Sequence, residues 1–208
     1  ERRLLRNASD ETPVSTVTVY RDPDAHSLTE PAYGLGFASL EHETADVALH
    51  VEGTLPAWLG GALIRTGPAK FEVGSESYAH WFDGLAMLHR FAFGNVCVTY
   101  SSRFLHSRSF REAVEQDRIA HSEFMTDPCR TLFGRVMSWF DPRRTDNGSV
   151  NVAMFDSRML ALTETRLPVE FDPETLATLG HVAQAPSIPG HLTTAHPHYD
   201  GQIGRAHV

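Results

Sequence analysis

The chain has 208 residues, 41% of them hydrophobic, enough to bury a core as one large domain or two small ones. Its formal charge of −8, from 26 acidic against 18 basic residues, lacks the footprint of a phosphate-backbone binder, so nucleic acid is excluded as a partner. No apolar run approaches the roughly 20 residues of a membrane-spanning helix, and the start, Glu1-Arg2-Arg3-Leu4-Leu5-Arg6, has no secretory apolar stretch. The expected compartment is cytoplasmic, with peripheral membrane contact. Cys97 and Cys129 fall at no paired-ligand spacing and read as free thiols.

Residues 1–35 read as an extended polar arm, because Pro13, Pro23 and Pro31 interrupt the short β-branched run from Val14 to Tyr20. Residues 36–208 then read as one β domain. Strands are predicted over Ala48 to Gly53 and Gly61 to Thr66, with Gly67-Pro68 and Asp83-Gly84 as turn signals. The aromatics between those turns read as core rather than site. Ala86 to Phe93 and Asn95 to Phe104 form a hairpin across Gly94-Asn95. Further strands follow at Val150 to Phe155, Met159 to Thr165, Pro168 to Phe171 and Leu179 to Gln184. Short strands at spacings of about 8 to 12 residues indicate an all-β sandwich, barrel or propeller.

A helical insertion interrupts the strands over about 110–141. One turn is expected around Phe110 to Gln116. After the N-cap candidate Asp127 and Pro128, Leu132, Phe133, Val136, Met137 and Phe140 recur at helical spacing. The plainer reading of that amphipathic helix is a cap on the β domain; the alternative is contact with a membrane surface.

The chemistry-bearing motif is Thr194-Ala195-His196-Pro197-His198. By itself an isolated His-x-His is a weak sign of metal binding, and a lone histidine cannot hold a catalytic metal. His80, Asp83 and His89 match no metal spacing; Asp83 reads as shaping the turn and the histidines as hydrogen-bonded within the first blade. No nucleophile elbow, P-loop or dinucleotide fingerprint occurs.

Several motifs nevertheless stand in a distinctive order. They are Leu55-Pro56-Ala57-Trp58-Leu59-Gly60-Gly61, Gly67-Pro68-Ala69-Lys70-Phe71-Glu72, His80-Trp81-Phe82-Asp83-Gly84, Asp127-Pro128-Cys129, Thr163-Glu164-Thr165, Phe171-Asp172-Pro173-Glu174-Thr175-Leu176 and the His196 motif. Together, from Gly36 to Asp200, they resemble the N-terminal half of the carotenoid cleavage oxygenases, the family of β-carotene oxygenases, apocarotenoid oxygenases and the retinal pigment epithelium isomerohydrolase. The resemblance implies the first blades of a seven-bladed β-propeller with Fe(II) held by four histidines on its axis. It further implies an activity: cleavage of a double bond of a carotenoid or apocarotenoid with O2.

Residue by residue, the resemblance makes His196 the first iron ligand and His198 the weaker choice. It makes Glu164 a carboxylate that accepts a hydrogen bond from an iron-bound imidazole. Phe133, Met137, Trp139 and Phe140 become candidates for the apolar patch where substrate enters from a membrane. The other three iron histidines of the family lie beyond Val208, so the 208 residues alone are expected to be inactive and marginally stable. A non-enzymatic β-propeller binding module and a His-metal hydrolase using His196 and His198 are the alternatives.

Overall fold

The computed structural model describes residues 32–94, 97–128, 145–182, 194–200 and 205–207. The expected arm lies almost wholly outside them, as do Phe133, Met137, Trp139 and Phe140 of the expected amphipathic helix. The first described element is a 3-10 helix over Ala32–Phe37.

Two four-stranded antiparallel sheets make up most of the rest. Strands β1 (Thr44–Leu49), β2 (Gly61–Lys70), β5 (Leu85–Phe93) and β6 (Val98–Phe104) form the first, in the order β1-β6-β5-β2. Between β2 and β5 stands a small ribbon of β3 (Glu72–Val73) and β4 (Glu76–Ser77). The second sheet orders β7 (Asn151–Phe155), β8 (Arg158–Leu162), β9 (Val169–Phe171) and β10 (Thr178–His181) as β10-β9-β8-β7. Four-stranded antiparallel sheets built from consecutive strands are the blades of a propeller, and the edge strands β2 and β7 stand against each other.

The main cluster of the core joins the blades, and smaller clusters lie within each. Ala86, Leu88 and Leu105 of the first pack with Ala161, Val169, Phe171 and Leu176 of the second, all nearly inaccessible to water. Burying an apolar side chain of this size contributes about 1.5 to 3 kcal/mol, so neighbouring blades stabilise one another. Polar ties cross the same seam, with the Thr66 hydroxyl donating to the Gly148 carbonyl at 2.8 Å and the His106 N–H to Thr178 Oγ1 at 2.9 Å.

The hairpin expected across Gly94-Asn95 is present, and a second joins β7 to β8. Strands β5 and β6 pair from Met87↔Phe104 to Phe93↔Val98. Strands β7 and β8 join through Asp156 and Ser157, at φ 46° and 67°, the two positive angles that a tight hairpin turn of matching twist requires. Helix α1 (Arg108–Gln116) occupies the expected turn, with the Ser107 hydroxyl accepting from the Phe110 N–H at its N-terminus.

Three boundaries differ from expectation, each for a local reason. β1 begins at Thr44 and ends at Leu49 because Asp46, at φ 47°, forms a bulge held by the Ser101 hydroxyl, which moves the paired stretch toward the N-terminus. Gly67-Pro68 is not a turn but lies inside β2, opposite Met87 and Ala86; β2 is an edge strand, where proline's missing N–H costs no ladder bond. β8 ends at Leu162, so Glu164 sits in a bend beyond the strand rather than within it.

Candidate functional site

A cavity of about 880 Å³ draws on both sheets. The C-terminal part of β2 contributes Arg65 to Pro68, the 3-10 turn after β4 contributes Trp81, Phe82 and Asp83, and the segment after α1 contributes Ser122, Glu123 and Phe124. The second blade adds Thr163, Glu164 and Thr165 beyond β8, and His196 comes from the segment ahead of β11 (His198–Asp200).

One wall is aromatic. Trp81 and Phe82 have ring centroids 5.6 Å apart, and Phe82 meets Phe124 edge-on at 6.4 Å, geometry that favours a flat apolar ligand. These rings were expected in the core, yet Trp81 is 39% and Phe82 56% exposed. The backbone explains the difference. His80 Nδ1 accepts from the Phe82 N–H at 3.2 Å, and the Trp81 indole N–H donates to the Gly36 carbonyl at 2.8 Å, fixing both rings outward. Gly84 closes the turn, where a Cβ would stand only 2.6 Å from Phe71 Cε1.

Asp83 joins that turn to the next wall. Wholly buried, its carboxylate accepts from the Phe124 and Met125 N–H groups at 3.0 Å each and from the Thr126 hydroxyl at 2.7 Å. A strap of residues 145–149 seals the floor: the Asn147 side chain accepts from the Ala86 N–H at 2.8 Å and donates to the Gly84 carbonyl at 2.9 Å. Thr145 donates to Glu123 Oε1 at 2.6 Å. Burial holds the Glu123 carboxyl well above its ordinary value of 4.5; the Thr145 hydrogen bond opposes this, and the nearby Asp83 and Asp146 charges add to it. Burial thus favours the neutral form of the Glu123 carboxyl.

Asp146, next in the strap, behaves oppositely. It accepts from the Arg108 N–H at 2.7 Å, the Ser109 N–H at 2.8 Å, the Ser109 hydroxyl at 2.6 Å and His181 Nε2 at 2.6 Å. Burial alone would raise its pKa, but these bonds outweigh it and hold the carboxyl below 3.8. Asp146 thus caps α1 and ties it to β10.

His196 and Glu164 both line the cavity. Ala195 is fully buried against Leu160 and Leu162 of β8, and its carbonyl accepts from Asn151 Nδ2 at 2.9 Å, so His196 follows an anchored residue. Its own N–H donates to Thr194 Oγ1 at 3.1 Å, leaving the imidazole exposed on the cavity side. Glu164 is flanked by Thr165, whose hydroxyl donates to the Thr145 carbonyl at 2.9 Å. The bend is thereby pinned to the strap.

The other histidines go elsewhere. His198 is exposed, does not line the cavity, and pairs in register with His207 of β12 (Arg205–His207). His89 bonds Tyr100 at 2.7 Å, and burial, with the Arg65 charge adding, lowers its pKa to about 4. Among the described residues no three His, Cys, Asp or Glu side chains form a metal cluster. The cavity does offer one accessible imidazole, a good donor for Fe(II), in the same space as a carboxylate able to orient such a ring.

Sequence reasoning reached His196 and Glu164 but missed Glu123, Arg65, Phe124 and the strap. Thr145, Asp146, Asn147 and Ser149 are all polar, yet each is at most 8% exposed. The available signal was Asn147 and Gly148 just ahead of a strand: at Gly148 a Cβ would lie 2.7 Å from that of Ala161.

Residues 37–208 match the family model described as RPE65, retinal pigment epithelial membrane protein. The chain is 42% identical over 167 residues to the mitochondrial carotenoid-cleaving dioxygenase of Mustela putorius furo, covering 78% of this chain and 31% of that protein. It is 39% identical over 167 residues to the β,β-carotene 15,15'-dioxygenase of Gallus gallus, covering 77% and 32%. Cobalt-substituted apocarotenoid oxygenase from Synechocystis matches with a TM-score of 0.69 at 27% identity, over 81% of this chain and 36% of that one. The chain thus spans about a third of the length of these relatives.

Proposed function

Because the chain belongs to the family of the retinal pigment epithelial membrane protein, we propose that it carries part of an Fe(II) site that cleaves a double bond of a carotenoid or apocarotenoid with O2. The observation supporting this most directly is that His196 and Glu164, distant from each other in sequence, line one cavity with an aromatic wall. In this reading His196 supplies one imidazole to the iron, and the remaining ligands come from outside the described residues. The metal, when bound, supplies the activation of O2. Glu164 accepts a hydrogen bond from a ligand imidazole, which fixes its tautomer and ring orientation and offsets positive charge.

Trp81, Phe82 and Phe124 hold the flat conjugated chain by dispersion, and the blade seam keeps water from the back of the cavity. Phe133, Met137, Trp139 and Phe140 belong to the same reading as an apolar patch that meets a membrane, where polyenes partition, in an otherwise cytoplasmic protein. The chain's acidity gives such contact no electrostatic help from anionic lipid. The test is iron analysis of the complete protein together with bleaching of a carotenoid under air and under argon. Stoichiometric iron with bleaching only under air supports the reading; bleaching that is indifferent to O2 or to iron removal overturns it.

A further inference from the structure

Of the acids lining the cavity, Glu164 belongs to the proposed iron site and Asp83 clamps residues 124–126, which leaves the Glu123 carboxyl without a role. Thr145 donates to its Oε1, so in the neutral form the acid's proton sits on Oε2. Among the described residues Thr145 is the side chain seen bonded to this carboxyl. The Glu123 N–H bonds the Thr126 carbonyl at 2.9 Å and Asp83 clamps the residues that follow, which fixes the backbone from which the carboxyl projects. A hydrogen-bond donor held against an aromatic wall is costly unless an acceptor reaches it. A hydrocarbon polyene brings none.

We propose that Glu123 donates a hydrogen bond from Oε2 to a carbonyl or hydroxyl oxygen carried by the substrate, so that the cavity selects oxygenated polyenes over hydrocarbon polyenes of the same length. This rests on the polyene reading above and adds a residue that sets specificity rather than one that performs the cleavage. Burial, with the Asp83 and Asp146 charges adding, favours the neutral form of Glu123, and a neutral acid is the form that can donate. Arg65, a cation lining the same cavity, would favour a carboxylate-bearing polyene, so aldehydes separate the two residues.

The experiment measures anaerobic binding to the complete protein through quenching of tryptophan fluorescence, Trp81 being in the wall. The probes are an apocarotenal and the hydrocarbon polyene of equal conjugation length. Wild type is expected to bind the aldehyde about tenfold more tightly, the value of one well-formed hydrogen bond in a desolvated site. Glu123→Met is expected to remove that preference, and Glu123→Gln, whose amide still donates, to keep most of it. Equal affinities in wild type, a preference that survives in Glu123→Met, or its loss in Glu123→Gln each overturn the proposal. The wild-type ratio and the Gln variant carry the test if the Met variant does not fold. A tenfold preference without O2-dependent bleaching supports the proposal as a binding property and removes the oxygenase reading instead.

Discussion

Replacing Asp83 by asparagine perturbs the cavity with the smallest change of shape. Its carboxylate accepts three hydrogen bonds, from the N–H groups of Phe124 and Met125 and from the Thr126 hydroxyl, at 3.0, 3.0 and 2.7 Å, in a position with no solvent access. Asparagine keeps one acceptor oxygen and turns an NH2 group toward at least one of the three donors. One or two bonds are lost and two donors face each other without water between them. At about 1 to 3 kcal/mol for each polar group left unsatisfied, the loss is about 2 to 4 kcal/mol.

Urea denaturation reads the total, and amide exchange at Phe124 and Met125 against a core amide such as that of Leu88 reads its location. Exchange at 124 and 125 is expected to accelerate far more than at Leu88, because the wall detaches before the blade unfolds. The pair of Arg158, 48% exposed, with Glu170 on the sheet surface supplies the contrast: Arg158→Gln is expected to leave the urea midpoint nearly unchanged. An Asp83→Asn protein with an unchanged midpoint and unchanged protection at 124 and 125 would refute the reasoning.

Other outcomes follow from the same contacts. Glu123 has a folded pKa above 4.5, so its contribution to stability is fully present below that value and declines as pH rises toward the folded pKa; the stability of Glu123→Gln relative to wild type is therefore expected to increase from pH 4 to pH 7 in urea titrations. Asp146 is depressed below 3.8, so its contribution is present above that value and is lost as pH falls through the lower folded pKa; His181→Ala, which deletes one donor, is expected to shift the acid unfolding midpoint upward. Gly84→Ala places a methyl 2.6 Å from the Phe71 ring and 3.0 Å from Pro68 Cβ, and thermal melts are expected to register about 1 to 3 kcal/mol of overpacking.

Alternation and turn chemistry in the sequence were enough to find β5, β6, β7 and β8, because half-buried hairpin strands must show apolar residues at every second position. They did not find the true extent of β1 and β2. A bulge at Asp46 and a proline tolerated only on an edge strand depend on neighbours that local sequence does not reveal. His196 and Glu164 were legible as a family pattern, but nothing near either one says that they share a cavity. Glu123 and the strap were illegible for a stronger reason: their polar side chains are tied by bonds spanning 22 to 67 residues, and polarity in a sequence ordinarily means exposure.

The central claim is that the cavity containing His196 and Glu164 holds a metal, and the direct measurement is iron bound per molecule of the complete protein in wild type, His196→Ala and Glu164→Gln. The expected result is loss of most of the iron in His196→Ala and about a 10 to 100-fold weaker affinity in Glu164→Gln, with the far-ultraviolet circular dichroism of both variants unchanged. Iron bound as tightly in His196→Ala as in wild type would contradict the account.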